Sequence, residues 1–138
     1  MKNILSSVVL ATATSLLLLN PVNAAPTPEA KALIKAQMKQ AQHVEPAALN
    51  KEIQAGSNLV ILDVRQKSER PIMGALTNHD LHIPRGFLEI KTYSKIADRN
   101  ADIVVICSKG VRSAFATNTL KEMGYKNVRN LKGGVQAW

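Results

Sequence analysis

The chain has a single cysteine, Cys107, and the residues that follow it are suited to activating a thiol. Lys109 and Arg112 place two cations within five residues of it, with Gly110 between them. Successive backbone N–H groups of such a turn, and the positive end of a helix that begins there, stabilise an anion and favour the reactive thiolate. A buried structural cysteine is the alternative, but an inert cysteine needs no cationic turn. One cysteine cannot form a disulfide within the chain, so its role is packing, reactivity or an intermolecular link, and the cationic turn leads us to predict a nucleophile.

Two apolar runs indicate how this cysteine is positioned. Residues 59–64 and 103–107 are continuous and rich in β-branched side chains, as in strands that are covered on both faces. The second run leads through a tight turn into a helix predicted over residues 113–123, and a returning strand is predicted over residues 127–131. This order predicts an α/β domain with a parallel sheet flanked by helices.

The ends of the two runs carry polar residues. Cys107 ends one predicted strand, and Asp63 and Arg65 end the other. Ligands of open α/β sheets bind outside the carboxyl ends of the strands. We therefore expect these three residues to share one edge of the sheet.

Two helices are predicted before the first strand. Thr27 and Pro28 form a helix start, and apolar residues recur at helical spacing over residues 30–41, which predicts a core-facing or domain-flanking helix. A second short helix begins at Pro46 and is closed by Gly56.

The first 24 residues have the pattern of a secretory signal peptide. Lys2 precedes an apolar run over residues 4–19, which is short for a membrane span, and Val22-Asn23-Ala24 supplies the small residues of a cleavage site. An uncleaved anchor is the alternative. We expect a periplasmic or secreted chain that keeps no stable membrane span after cleavage, with residues 25–42 as a helical N-terminal extension and residues 43–138 as the domain.

Composition excludes several classes of protein. The 138 residues are 46% hydrophobic and 20% charged, which is typical of one globular domain and not of a disordered or fibrous chain. The net charge is +8, but export and a content of only 4% aromatic residues argue against nucleic acid as a partner. The positive charge is better suited to attracting small anions. His79 and His82 lack the neighbours of a metal site, so we predict no metal, and no sequence feature ties either histidine to Cys107.

The chain resembles the rhodanese family over residues 43–138. Residues 59–65, followed by Glu69, resemble that family's strand ending in Asp-x-Arg with a later glutamate, and residues 107–113 resemble its active-site loop. Ile83-Pro84-Arg85-Gly86 is a weaker match. The closing signature of the family is found at Gly124-Tyr125, Val128, Leu131, Gly133-Gly134 and Trp138. Two departures are Pro71-Ile72-Met73 where the family often has Gly-His-Ile, and the end of the sequence at Trp138, where rhodanese domains commonly continue through another helix; either the chain is naturally short or its end is missing.

The resemblance implies a three-layer α/β domain with a central parallel sheet and a sulfurtransferase activity without metal or organic cofactor. Cys107 would take a sulfane sulfur from thiosulfate or a similar donor as a persulfide and pass it to a cyanide-like acceptor or to a thiol, including a protein thiol. Lys109 and Arg112 would assist the anionic donor as catalytic residues. The other residues implied at the substrate site are Ser108, Gly110, Val111 and Ser113, whose backbone amides hold the persulfide, and Asp63 and Arg65, which support the loop from the neighbouring strand.

Two other functions remain open at this stage. A persulfide carrier or partner-binding module needs the same loop without rapid turnover. A phosphatase also uses a cysteine and an arginine around an anion, but it typically has five residues between them, and this chain has four between Cys107 and Arg112.

The predicted signal peptide is tested by N-terminal sequencing of the protein from the cell that expresses it. We expect the mature chain to begin at Ala25, because Ala24 is the last small residue of the predicted cleavage site. A secreted fraction that begins at Met1 would instead indicate an uncleaved anchor.

Overall fold

The structure is a computed structural model that describes residues 25–138. The predicted signal peptide, residues 1–24, lies outside the described residues. Among the helices of residues 25–138, none combines the length and the apolar character needed to cross a membrane.

The described residues form helices and strands in an alternating order. The helices are α1 (Pro28–Gln40), α2 (Pro46–Gln54), α3 (Arg70–Met73), α4 (Leu88–Lys95) and α5 (Val111–Glu122). The strands are β1 (His43–Val44), β2 (Leu59–Asp63), β3 (Leu81–His82), β4 (Asp102–Ile106) and β5 (Asn127–Leu131).

All strand pairs of the sheet are parallel, in the order β1-β5-β4-β2-β3. This confirms the predicted fold class, a central parallel sheet flanked by helices. Strand β4 lies in the middle, so the residue that follows it, Cys107, is at the centre of the carboxyl edge. The edge strands β1 and β3 have two residues each, which is too short for a hydrophobic pattern to predict. Helix α5 begins two residues before its predicted start because Gly110, at φ 85°, already turns the chain into it.

Apolar side chains cover both faces of the sheet, as the continuous strand runs predicted. One cluster includes Leu88 of α4 and Leu120 of α5, and the other includes Leu49 of α2. Successive residues of β4 alternate between the two clusters. Cys107 belongs to the first cluster, so its side chain lies on the face covered by α4 and α5.

Helix α1 flanks the domain and packs against α5. None of its residues is buried, and Leu33 is 54% exposed. The two helices are joined through Asn118, whose Nδ2 donates to the backbone oxygen of Gln37 at 3.0 Å and to its Oε1 at 2.7 Å. The apolar stripe predicted over residues 30–41 therefore belongs to a domain-flanking helix.

A buried ion pair fixes the segment that follows β2. Arg65 and Asp63 are both fully buried, and Arg65 Nε and Nη2 donate to the Asp63 carboxylate at 2.8–3.1 Å. Arg65 Nη2 also donates to the carbonyl oxygen of Gly74 at 2.6 Å, and Arg70 Nε donates to Asp63 at 3.0 Å. Burial alone would raise the pKa of Asp63, but the hydrogen bonds and charges of Arg65 and Arg70 outweigh it and lower that pKa.

Removing Arg65 should therefore destabilise the fold. We expect Arg65→Met to lower the free energy of unfolding by about 3 kcal/mol, because it leaves the Asp63 carboxylate buried with only Arg70 as a charged partner. The matched control is Arg70→Met, which removes the partly exposed partner of the same carboxylate and should cost about 1 kcal/mol or less. Urea denaturation measures both, and equal losses would contradict the assigned role of Arg65.

Candidate active site

The Cys107 sulfur lies at the start of α5 and accepts hydrogen bonds from the loop around it. Gly110 N–H donates to Sγ at 3.1 Å, and Ser113 donates from its N–H at 3.4 Å and from Oγ at 3.2 Å. The cysteine is 1% exposed. Donors that converge on a sulfur at a helix N-terminus stabilise negative charge on that atom. The loop therefore directs two backbone N–H groups and one hydroxyl towards the sulfur.

The turn after β5 packs directly on this loop. A Cβ built on Gly134 would lie 2.3 Å from the carbonyl oxygen of Cys107 and 2.7 Å from the backbone nitrogens of Lys109 and Gly110. Since no side chain fits there, the position requires glycine. Val135 N–H donates to that same carbonyl oxygen at 2.8 Å, so backbone contacts hold the two segments together.

A pocket of about 340 Å³ opens over the sulfur. The residues that line it are Glu69, Cys107, Ser108, Lys109, Val111 and Arg112. Five of these belong to the loop from 107 to 112, and Glu69 comes from the segment after β2. The structure thus places Lys109 and Arg112 in the lining of the pocket that contains the cysteine.

Glu69 holds the side chain of Arg112 in a bidentate ion pair. Arg112 Nη1 and Nη2 donate to the two Glu69 oxygens at 2.7 and 2.6 Å, and Ser108 Oγ donates to Glu69 at 2.8 Å. The hydrogen bonds from Arg112 lower the pKa of Glu69 to about 2, and the pairing raises the pKa of Arg112. Much of the positive charge of Arg112 is therefore compensated at the rim of the pocket.

Lys109 differs from Arg112 in its surroundings. Its side chain is exposed, and it forms no ion pair with any residue between 25 and 138. Lys109 is thus the cation at this pocket that can meet an approaching anion without first leaving a protein carboxylate.

Several other predicted site residues lie away from the sulfur. Asp63 and Arg65 are at the same edge of the sheet, but they are fully buried and do not line the pocket; they hold the segment that carries Glu69. His82 Nε2 bonds to the carbonyl oxygen of Arg65 at 2.8 Å, and His79 is exposed. Residues 25–138 contain no cluster of side chains that could hold a metal ion.

Two residues of the site were not assigned a role from the sequence. Glu69 was recognised only as part of a motif, because sequence spacing does not show that it pairs with Arg112 across 43 residues. Asn130 is fully buried in β5, and its Nδ2 donates to the carbonyl oxygen of Gly110 at 3.1 Å. The sequence does not single it out, because Asn130 is one of three polar or charged residues in β5; only its burial shows that the amide must be hydrogen-bonded.

Comparisons with known proteins agree with this geometry. The family model described as a rhodanese-like domain matches residues 45–138. A thiosulfate sulfurtransferase of Coxiella burnetii is 32% identical over 103 residues, which cover 72% of this chain and 86% of the relative.

Two solved structures have the same fold. A polysulfide-sulfur transferase homodimer from Wolinella succinogenes aligns with a TM-score of 0.68 and 31% identity over 78% of this chain and 80% of its own. A Rhodopseudomonas palustris protein of unknown function, described as a possible tyrosine phosphatase, aligns with a TM-score of 0.69 and 27% identity over 78% of this chain and 86% of its own.

The ion pair between Glu69 and Arg112 should make stability depend on pH. Because the folded-state pKa of Glu69 lies near 2, below the ordinary value of 4.5, the pair stabilises the fold above pH 4.5 and its contribution is lost as the pH falls towards 2. We expect Glu69→Gln to lower the free energy of unfolding by about 1–2 kcal/mol at neutral pH, with the difference vanishing near pH 2.

Glu89→Gln is the matched control for this measurement. Glu89 also pairs with an arginine, Arg85, but its side chain is 51% exposed, so we expect an effect below about 0.5 kcal/mol. Denaturation of both variants across this pH range measures the difference. A Glu69→Gln variant whose stability follows that of the unmodified protein at every pH would refute the assigned contribution.

Proposed function

We propose, since the chain belongs to the rhodanese-like domain family, that it is a sulfurtransferase in which Cys107 carries the transferred sulfur. The observation that supports this most is the convergence of donors from Gly110 and Ser113 on the Cys107 sulfur, at the bottom of a pocket. Relatives named as sulfurtransferases support sulfur transfer in general. The donor, the persulfide and the place of action given below belong to the proposal.

The reaction proposed has two steps. The Cys107 thiolate attacks the outer sulfur of thiosulfate, a sulfur–sulfur bond forms, and the bond to the sulfonate sulfur breaks with its electron pair leaving on sulfite. The product is a Cys107 persulfide, and the same backbone donors can stabilise its negative charge. A thiolate or cyanide acceptor then attacks the outer sulfur, takes it, and restores the Cys107 thiolate.

Lys109 and Arg112 are proposed to act differently on an anionic donor. Arg112 is held by Glu69 and contributes chiefly to the shape of the rim, whereas Lys109 is exposed and unpaired among the described residues. A cation in that position can stabilise the sulfite that leaves. We therefore assign to Lys109 the stabilisation of the negative charge of the donor.

The place of action is proposed from the sequence, and the acceptor from the reaction. The pattern of residues 1–24 supports export, and we propose that the protein works in the periplasm or outside the cell. The physiological acceptor proposed is a thiol, including a protein thiol.

A phosphatase reaction is disfavoured by the loop. Four residues separate Cys107 from Arg112, so the ring of donors around the sulfur is small for a tetrahedral phosphoryl group with three oxygens. Arg112, which such a reaction needs for the phosphate, already has a bidentate carboxylate partner. The likeness to the Rhodopseudomonas palustris protein therefore supports the fold alone.

Replacement of the nucleophile tests the proposed function. We expect Cys107→Ser to fold, because serine is close in size, and to lose transfer of sulfur from thiosulfate to cyanide down to the rate without protein, because the chain has no other thiol. Thiocyanate formation measures this. Ser94→Ala, an exposed residue of α4, is the control and should keep the full rate.

Three outcomes of this experiment are distinguishable. Normal transfer by Cys107→Ser would refute the mechanism. Formation by the unmodified protein of one equivalent of thiocyanate per chain, without turnover, would indicate a carrier and not a catalyst. Hydrolysis of an aryl phosphate by the unmodified protein, above the rate of Cys107→Ser and without sulfur uptake, would establish the phosphatase alternative.

A further inference from the structure

A chain of hydrogen bonds connects residues 107–113, called here the sulfur-binding loop, to the edge strand β1 of the sheet. Gly110 N–H donates to Cys107 Sγ, and the carbonyl oxygen of Gly110 accepts from Asn130 Nδ2 at 3.1 Å. The same Nδ2 lies 3.1 Å from His43 Nδ1, and His43 Nε2 lies 2.7 Å from the carbonyl oxygen of Met38. His43 and Asn130 are register partners of β1 and β5, which places their side chains side by side.

The partners at the two ends of this chain determine where its protons lie. A carbonyl oxygen only accepts, so the Asn130 amide must present its NH₂ to Gly110, and His43 Nε2 must carry the hydrogen that faces Met38. The remaining hydrogen of the Asn130 NH₂ then points to His43 Nδ1, which can accept it only as an unprotonated nitrogen. The arrangement therefore requires a neutral His43 ring.

Protonation of His43 conflicts with this arrangement. A hydrogen on Nδ1 would face the hydrogens of Asn130 Nδ2, so donor would meet donor. Rotation of the Asn130 amide relieves that conflict, since Oδ1 then accepts from Nδ1, but it turns an oxygen towards the oxygen of Gly110. In the rotated amide Gly110 loses its hydrogen bond from Asn130, and only Ala114 N–H, at 3.2 Å, continues to donate to that carbonyl oxygen.

We propose that Asn130 is a positioning residue for the sulfur-binding loop, and that it holds Gly110 in place only while His43 is neutral. The inference rests on the proposed function, because the loop matters for sulfur uptake only if Cys107 takes up sulfur. Sulfur uptake then slows in acid for a reason additional to protonation of the thiolate, because a displaced Gly110 N–H no longer stabilises charge on the sulfur. His43 precedes residues 45–138, which the family model matches, whereas Asn130 and Gly110 lie within them.

The charged groups around His43 do not replace this contact. Glu45 and Lys132, the next residues on the same sides of the two paired strands, form an ion pair with each other. On α1, Lys39 is next to Met38 and is exposed. The groups that bond to the imidazole are thus the carbonyl oxygen from α1 and the amide from β5.

Two variants test the proposal in the full chain. His43→Asn places an amide oxygen near the position of Nδ1, where it accepts from Asn130 at every pH. Asn130→Asp has the same shape but presents only oxygens to Gly110. The rate of sulfite release from thiosulfate is measured for both variants and for the unmodified protein between about pH 5.5 and 8.

We expect the unmodified protein and His43→Asn to react equally fast near pH 8. Near pH 5.5 the unmodified protein should be about threefold to tenfold slower than His43→Asn, which corresponds to the loss of one hydrogen bond. Asn130→Asp should be about fivefold to tenfold slower at pH 8. If this variant does not fold, Asn130→Ser, which removes the amide donor without adding a charge, takes its place.

A ratio of the two rates that does not change with pH would overturn the role of His43, and a fast Asn130→Asp would overturn that of Asn130. An NMR titration gives a readout without turnover, since the Val111 N–H belongs to the peptide whose oxygen Asn130 holds. Its resonance should shift in acid in the unmodified protein and not in His43→Asn. Such a shift without sulfur uptake at any pH would refute the proposed function but support the effect of His43 on the loop. The absence of both the shift and sulfur uptake would refute the proposed function and the effect of His43.

Discussion

The loop around the Cys107 sulfur keeps its shape because a second backbone segment lies directly against it. Gly134 leaves no space for a side chain between the turn after β5 and the carbonyl oxygen of Cys107, and Val135 and Gln136 donate to the carbonyl oxygens of Cys107 and Ser108. With those oxygens turned outward, N–H groups of the same loop can face the sulfur. The arrangement of donors around the sulfur therefore depends on a backbone contact between segments that are more than 20 residues apart in sequence.

The charges at this edge of the sheet are largely compensated within the protein. The Asp63 carboxylate is shared by Arg65 and Arg70, and the Glu69 carboxylate holds Arg112. Both carboxylates come from β2 and the short segment after it, so these pairs attach that segment to itself and to the cysteine loop. Among the described residues that line the pocket, Lys109 is the exposed cation without a carboxylate partner, which suits the anionic donor of the proposed reaction.

Sequence reasoning reached the main elements because their signals are local. The β-branched runs predicted β2 and β4 to within a residue at each end, and the glycine after the cysteine predicted the turn into α5. The two-residue strands β1 and β3 carry no such periodicity, and they form because neighbouring strands offer them backbone partners. The pairing of Glu69 with Arg112 and of Asn130 with Gly110 depends on how distant segments meet, which spacing along the chain does not determine.

The central claim, that Cys107 carries the sulfur covalently between donor and acceptor, is tested most directly by intact mass spectrometry with the two substrates added in sequence. After incubation with thiosulfate alone and removal of the donor, the account predicts a mass gain of one sulfur atom that maps to the peptide containing Cys107. Addition of a thiol should then return the protein to its original mass, with the sulfur recovered on the thiol. Transfer that requires both substrates together, with no sulfur retained by the protein at any stage, would contradict the account.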